Sequence, residues 1–237
     1  MLSVGGVTMR LALSGGFGAF VQQRMKLPLI LAASLLIVFG VVEAEGAFRQ
    51  ERRDPAAARR SISPVVGWLL AAPVLVLTAV APSALGAAAA QRADPLTPTE
   101  QEVPASGLAE IDDSAGPVEM RVYDFLSRAL WDETGSLTGK QIVLEGIVVN
   151  DDNIDDGFRL TRFAVNCCAA DGLPLQVGLR GIDDDFDNDI WVRATVVWRP
   201  PPEGGYQSAA APEVVEADVL DLEIVENPPD DPYETPF

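Results

Sequence analysis

Two adjacent cysteines are the residues of this sequence with the clearest chemical potential. Cys167 and Cys168 are the only cysteines in the chain, and Asp171 follows shortly after them. Neighbouring thiols can bind a soft metal or metalloid, close a strained vicinal disulfide, or exchange with a partner thiol. Two thiolates do not complete a tetrahedral site, so Asp171 or a partner chain would add a ligand. Alternatively, both cysteines are small buried residues just beyond a strand.

A run of alternating aspartates offers a second candidate, a weak calcium loop. Its residues are Asp183, Asp185, Asp187 and Asp189. Their spacing is similar to the first ligand positions of a calcium-binding loop, but Asn188 replaces the glycine of the sixth position and Ala194 replaces the glutamate of the twelfth. The pattern therefore favours a solvated acidic loop over weak calcium binding. The turn 151–156 has a similar acidic composition and the same interpretation.

Arg162 lies within a predicted strand as a supporting residue. It pairs with one of the acids or supports the Cys-Cys turn, and a surface ion pair worth about 0–1 kcal/mol is the simpler interpretation. The chain has no histidine, which excludes Ser-His-Asp and Cys-His catalysis and every His-ligated metal site. P-loop, Rossmann and nucleophile-elbow motifs are also missing from the sequence. We therefore expect a protein that is not an enzyme and has no evident cofactor, with a soft metal ion as a candidate ligand of the thiol pair.

Charge divides the 237-residue chain into two parts. Residues 1–92 carry nine basic and four acidic side chains, whereas residues 93–237 carry eight basic and thirty-one acidic ones. A basic, apolar part joined to an acidic part predicts a membrane anchor followed by a soluble domain. The net charge of −18 argues against a nucleic-acid partner.

The first 92 residues predict two transmembrane helices and leave a third open. The predicted spans cover about residues 27–44 and 64–90, because both stretches are strongly apolar and the second has no charged residue. Residues 1–21 remain ambiguous between a signal-like segment and a degraded span, since Arg10 interrupts them. Five arginines lie between the two spans, and the positive-inside rule therefore places that loop in the cytoplasm and the C-terminal domain outside. They are Arg49, Arg52, Arg53, Arg59 and Arg60.

The acidic part predicts a linker over residues 93–118, a β-rich domain over 119–227 and a disordered tail over 228–237. Hydrophobic periodicity predicts one helix, followed by about five strands. The helix is expected at 120–132 and the strands at 141–149, 158–165, 175–179, 190–198 and 214–225. This count predicts a small closed sheet, a five-stranded barrel of the OB type, within a membrane-anchored α+β protein. A β-sandwich fragment is the alternative.

Three segments carry a family resemblance. They are GGFGAFVQQRM before the first span, VGWLLAAPVLVLTAVAPSALGA within the second, and FRLTRFAVNCCAADGLPLQV in the domain. The chain resembles the YcgQ-like family of permease subunits, in particular the actinobacterial members of that family. These subunits belong to a two-component permease system. The resemblance implies an integral membrane protein with a C-terminal OB-like domain and a multi-span permease as its partner. The same permease class includes efflux proteins for organic arsenicals, which suggests a substrate for the thiol pair.

Two functional hypotheses follow. In the first, the chain is a non-enzymatic accessory subunit of a permease in the cell membrane, and its exterior domain binds a soft cation or substrate through the cysteine pair. In the second, it is a membrane-tethered, extracytoplasmic binding or scaffold module without a transport role. An enzyme that uses a pair of acids is the least favoured class, because the carboxylates occur in solvated runs.

Overall fold

Contacts along the chain separate an N-terminal unit, Met1–Ala84, from a C-terminal unit, Leu85–Phe237. The computed structural model describes residues 2–53, 85–98, 108–154, 156–201, 214–226, 229 and 231–235. The two units are described separately. Together they give a mixed α+β architecture, as the sequence predicts.

Over its described residues, 2–53, the N-terminal unit contains two α-helices, α1 (Leu2–Ser14) and α2 (Lys26–Arg53). They pack closely at Gly5, where an added Cβ would lie 2.8 Å from Cγ1 of Ile37. Within α2 and the turn before it, the stretch Gln23–Gly46 is long and apolar enough to cross a membrane. At 13 residues, α1 is about 20 Å long and shorter than a hydrocarbon core of about 30 Å. One helix of spanning length is thus found in the described part of this unit.

The second predicted span lies outside the described residues up to position 84. Its end is described, and there the prediction is wrong. Residues 87–90 form a four-residue helix, α3 (Ala87–Ala90), whose Ala87 and Ala90 are buried against Ile147 and Val149 of the C-terminal unit. An alanine-rich segment is apolar enough for lipid and small enough to pack on a sheet, so composition alone did not separate these two outcomes.

Besides α3, the described residues of the C-terminal unit form one longer α-helix and seven strands. The helix is α4 (Val122–Trp131). The strands are β1 (Val118–Glu119), β2 (Gln141–Val149), β3 (Gly157–Ala164), β4 (Leu173–Arg180), β5 (Trp191–Arg199), β6 (Val215–Ile224) and β7 (Tyr233–Glu234). The predicted helix and the five predicted strands are confirmed to within about two residues at each end, whereas β1 and β7 were not predicted.

The sheet has the order β1-β2-β5-β6-β4-β3-β7, and β2 also pairs with β3. This last pairing covers only Ile147–Val149 opposite Arg159–Thr161. Beyond it, β1 pairs with β2 and β7 pairs with β3, both in parallel. The predicted closed barrel is therefore corrected to a seven-stranded sheet with partial closure. At the crossing, a Cβ on Gly146 would lie 2.7 Å from the carbonyl oxygen of Thr161, so a glycine permits this close approach.

Alternation along the strands builds the main core of this unit. Ile142, Leu144 and Val148 of β2 point to the same side and are fully buried. They pack with inward residues of the other long strands and with the apolar face of α4, including Phe125 and Leu126. A second cluster on the opposite face joins α3 to the end of β3 and to Tyr233 of β7.

Both predicted unstructured segments contain ordered contacts. The prediction of a disordered tail is wrong for residues 231–235, since Tyr233 and Glu234 are buried in β7. In the predicted linker, the backbone N–H of Leu96 donates to the carbonyl of Pro174, and Ile111 enters the main core. A composition rich in proline and acids predicts disorder, but a single well-placed aromatic or aliphatic residue is enough to hold such a segment on the sheet.

Candidate functional site

The thiol turn, Asn166–Asp171, connects β3 to β4. It begins where the backbone N–H of Val165 donates to the carbonyl of Glu234, and it ends in a single 3₁₀ turn, Ala169–Asp171. The Sγ atoms of Cys167 and Cys168 lie 3.6 Å apart, and both thiols are free and partly exposed. The two sulfurs and a carboxylate oxygen of Asp171 all lie within 4.8 Å of one another. The structure therefore brings together the three residues that the sequence singled out.

Asp171 fixes the shape of this turn. Its Oδ2 accepts from the backbone N–H of Cys167 at 2.9 Å, and its Oδ1 accepts from that of Asn166 at 3.1 Å. Hydrogen bonding to the Asp171 carboxylate, with a further contribution from Cys168, raises the pKa of the Cys167 thiol to about 11. Burial opposes the charge of Asp171, but the bonds from the turn outweigh it and lower the pKa of its carboxyl. A cation would thus meet a carboxylate beside two thiols, a donor set of two sulfurs and one oxygen.

The aspartate loop 183–189 is not arranged as a calcium site. In the described part of the chain, the one group of three ligand atoms close enough for a metal ion is the thiol turn. Instead, Oδ1 of Asp189 accepts from the backbone N–H of Ala87 at 2.5 Å, and Asn188 accepts from the backbone N–H of Asn150 at 2.8 Å. The loop therefore connects α3 to the sheet. In the turn 151–156, Asp151 forms an ion pair with Arg159, so this acid also has a structural partner.

Arg162 is largely shielded from solvent and is not part of a surface ion pair. Its side chain is 11% exposed, and its Nε lies 3.8 Å from Oε1 of Glu234, which is 5% exposed. The guanidinium also lies 5.0 Å from the centre of the Trp191 ring and donates to the carbonyl of Asp231 at 3.1 Å. Burial lowers the pKa of Arg162, and the nearby carboxylate of Glu234 opposes that effect.

Glu234 joins this pair to the start of α4. Its two carboxylate oxygens accept from the backbone N–H groups of Val122 and Tyr123 at 2.8 and 2.9 Å. These donors belong to the first turn of α4 and have no partner within the helix. Sequence analysis missed Glu234 because it lies in a short acidic segment without periodicity. Only the adjacent Tyr233, an aromatic residue in a polar tail, could have drawn attention to it.

An open groove of about 420 Å³ adjoins the Arg162–Glu234 pair. Its walls come from β1, β2, β3, β5 and β7. Charged side chains of both signs line it, among them Glu119, Arg121, Glu145 and Arg193. Arg193 pairs with Glu145 at 3.0 Å across β5 and β2. The groove therefore suits a polar ligand better than an apolar one.

The five long strands, α4 and the thiol turn all lie within one stretch of the chain that is similar to a known family. Residues 112–229 match the DUF1980 C-terminal domain. The family is uncharacterised, and its members are often associated with permeases. The match includes β1, α4, the five long strands and the thiol turn, whereas β7 with Glu234 lies beyond it. No curated protein and no solved structure gave a significant match to the chain.

Proposed function

We propose that this chain is a non-enzymatic accessory subunit of a multi-span permease, of the YcgQ-like family in its actinobacterial type. In this proposal its exterior domain binds a soft cation through Cys167 and Cys168. The thiol turn carries the proposal, because three potential ligand atoms lie within 4.8 Å of one another on a partly exposed turn. The match to the permease-associated DUF1980 domain supports the same function.

Exposed apolar side chains support anchoring in the cell membrane. On α2, residues at helical spacing are more than half exposed, a surface unsuited to water and suited to lipid. They are Leu27, Leu31, Leu35, Phe39 and Val42. We propose a multi-pass topology in which residues within 64–84 form a second span. The arginines between the spans then keep their loop in the cytoplasm and leave the sheet outside.

The strand pairings support an OB-type domain. The five long strands, β2 to β6, can be numbered one to five in chain order. Their pairings then run 1-2-3-5-4-1, which joins the five strands in a ring. Strands three and five of this ring, β4 and β6, are parallel, and the other pairs are antiparallel. Small five-stranded Greek-key barrels of this kind bind ligands on a strand face and its loops. We propose that the thiol turn is such a loop.

The chain enters the C-terminal unit close to the thiol turn. Leu85, the first residue of the C-terminal unit, packs on Gly172 at the end of the turn, where an added Cβ would lie 2.3 Å from its Cδ1. The chain therefore enters the sheet domain beside the end of the thiol turn.

Replacement of the thiols tests the proposal in cells. Cells that carry the Cys167→Ser, Cys168→Ser double variant are expected to lose resistance to the soft cation if the system exports it, or to lose uptake of the cation if the system imports it. The amount of the double variant in the membrane should stay unchanged. Asp185→Asn serves as the control, because it changes an exposed acid outside the thiol turn. The permease partner is expected to co-purify with both variants. Full transport activity of the double variant would refute cation capture.

The groove supports a second candidate function, a membrane-tethered binding or scaffold module. Its mixed charges would hold a peptide, a glycan or another polar component of the cell envelope. Co-purification in mild detergent separates the two functions. Recovery of a polytopic permease supports the accessory subunit, and recovery of envelope components without a permease supports the scaffold.

A further inference from the structure

We infer that the thiol turn takes a divalent cation that prefers tetrahedral thiolate coordination, of the Zn²⁺ class, and holds it with one position open. This inference rests on the proposed capture of a soft cation and narrows its chemical class. It also assigns the site a role in transient binding, as opposed to a structural metal site that holds the fold together.

The separation of the two sulfurs favours tetrahedral geometry. With zinc–sulfur bonds of about 2.3 Å and an angle of about 109°, two thiolate ligands of one ion lie about 3.75 Å apart. The Sγ atoms of Cys167 and Cys168 are already 3.6 Å apart. A linear arrangement with bonds of the same length would need about 4.6 Å between them. A cation that prefers two-coordinate geometry, such as Cu⁺, would therefore require the thiols to separate by about 1 Å.

The third ligand points to the same class. Zinc accepts carboxylate oxygen beside sulfur, whereas Cu⁺ selects soft sulfur donors. Asp171 places a carboxylate oxygen within 4.8 Å of both thiols, and its bonds to Asn166 and Cys167 keep it there.

The donor set is incomplete for a closed structural site. Such sites use four protein ligands, mostly cysteine and histidine. This chain has no histidine and no third cysteine, so one copy cannot supply a four-ligand Cys/His set. The fourth position falls to water or to a donor from a partner, as in zinc sites that exchange a ligand. Folding of the turn does not depend on the cation, because Asp171 and the flanking β3–β4 pairing already hold it.

Loading the site leaves its charge unchanged. Two sulfur–hydrogen bonds break, both protons pass to water, and two metal–sulfur bonds form without any change of oxidation state. Before loading, the turn carries the single negative charge of Asp171. After loading, two thiolates and one carboxylate are opposed by the two positive charges of the ion. The acidic domain therefore neither gains nor loses charge at this turn when the cation enters or leaves.

Titration of the full chain in detergent, under reducing conditions, tests the inference. Cd²⁺ serves as a spectroscopic probe, because thiolate–cadmium charge transfer reports sulfur ligation directly, and Zn²⁺ is then added as a competitor. We expect one ion per chain and displacement of Cd²⁺ by Zn²⁺. Asp171→Asn removes the proposed third ligand and should lower the affinity by at least the roughly 10- to 100-fold that loss of an outer-shell partner costs. Asp185→Asn should leave it unchanged.

Each outcome separates this inference from the proposed function. Binding of Cu⁺ with no binding of Zn²⁺ or Cd²⁺ would overturn the tetrahedral class and leave soft-cation capture standing. No charge-transfer band with Cd²⁺ in the unmodified chain, together with no binding of Cu⁺, would overturn both, and this result does not depend on any variant folding. Zinc binding without a co-purifying permease would support the inference and overturn the accessory-subunit function. Loss of the fold on removal of the cation, measured by circular dichroism, would contradict an exchangeable site.

Discussion

Removal of the Glu234 carboxylate tests how the sheet domain holds its C-terminal segment. In Glu234→Ala, the backbone N–H groups of Val122 and Tyr123 lose their acceptor, which lies 2.8 and 2.9 Å away. The same change leaves Arg162 without its nearest carboxylate, 3.8 Å distant, although both side chains are almost fully buried. One substitution therefore removes a helix cap and the counter-ion of a buried guanidinium.

The expected loss is about 3–5 kcal/mol of the free energy of unfolding, the range found when one partner of a buried ion pair is removed. Each unsatisfied N–H would separately cost about 1–3 kcal/mol, but the effects share one carboxylate and do not add. The pKa of Glu234 is raised, because burial outweighs the bonds from Tyr123 and Val122 that lower it. Desolvation of the carboxylate therefore already offsets part of the stabilisation that its contacts provide. Glu234→Gln retains one acceptor oxygen and should lose about 1–3 kcal/mol.

Denaturant unfolding of the full chain in detergent, followed by tryptophan fluorescence, measures both variants. Trp191 is a suitable reporter because the Arg162 guanidinium lies 5.0 Å from its ring. Glu133→Ala, at an exposed position after α4, is the control and should change the free energy of unfolding by less than about 0.5 kcal/mol. A loss below about 1 kcal/mol for Glu234→Ala would show that water replaces the carboxylate and that the buried-pair reasoning is wrong.

Three further predictions concern other parts of the domain. Asp171→Asn removes the carboxylate whose hydrogen bond raises the pKa of Cys167, so alkylation of this thiol at neutral pH should become faster, and an unchanged rate would contradict the assigned cause. Gly157→Ala places a Cβ 1.9 Å from the carbonyl oxygen of Leu179, so the free energy of unfolding should fall by about 1–3 kcal/mol and lower the melting temperature. An unchanged melting temperature would mean that the strands can separate freely. Burial opposes the charge of Asp132, but hydrogen bonds from neighbouring groups outweigh it and lower its pKa below 3.8. Its stabilisation is therefore complete above that pH and lost as the pH falls through the folded value, so acid unfolding of Asp132→Asn should be less steep below about pH 4.

Periodic burial explains why most of the sheet domain could be predicted. A strand with one buried face, such as Trp191–Arg199, has apolar residues at alternate positions, and α4 has them at three- and four-residue spacing. These patterns survive in the sequence whatever surrounds the element. The two-residue strands β1 and β7 are too short to show any period, so only tertiary contact reveals them.

The polar contacts were less predictable, because they join residues far apart in the chain. Glu234 bonds to residues more than a hundred positions earlier, and Asp189 bonds to Ala87 across a similar distance. Nothing in the local sequence distinguishes these acids from the many solvated ones. By contrast, the thiol turn is local: Cys167, Cys168 and Asp171 lie within five residues, and a tight turn brings them together.

The end of β3 connects the two best-defined polar features of the domain. Arg162 holds Glu234 from one side of this strand, and the N–H of Val165 donates to the Glu234 carbonyl immediately before the thiol turn begins. The turn therefore starts from a backbone position that β7 fixes, and Asp171 then sets the sulfurs through bonds of its own. Because the second set of bonds is local, loosening β7 should change the stability of the domain much more than the arrangement of the two thiols. Under the proposed function, a cation therefore enters and leaves the turn without unfolding of the sheet behind it.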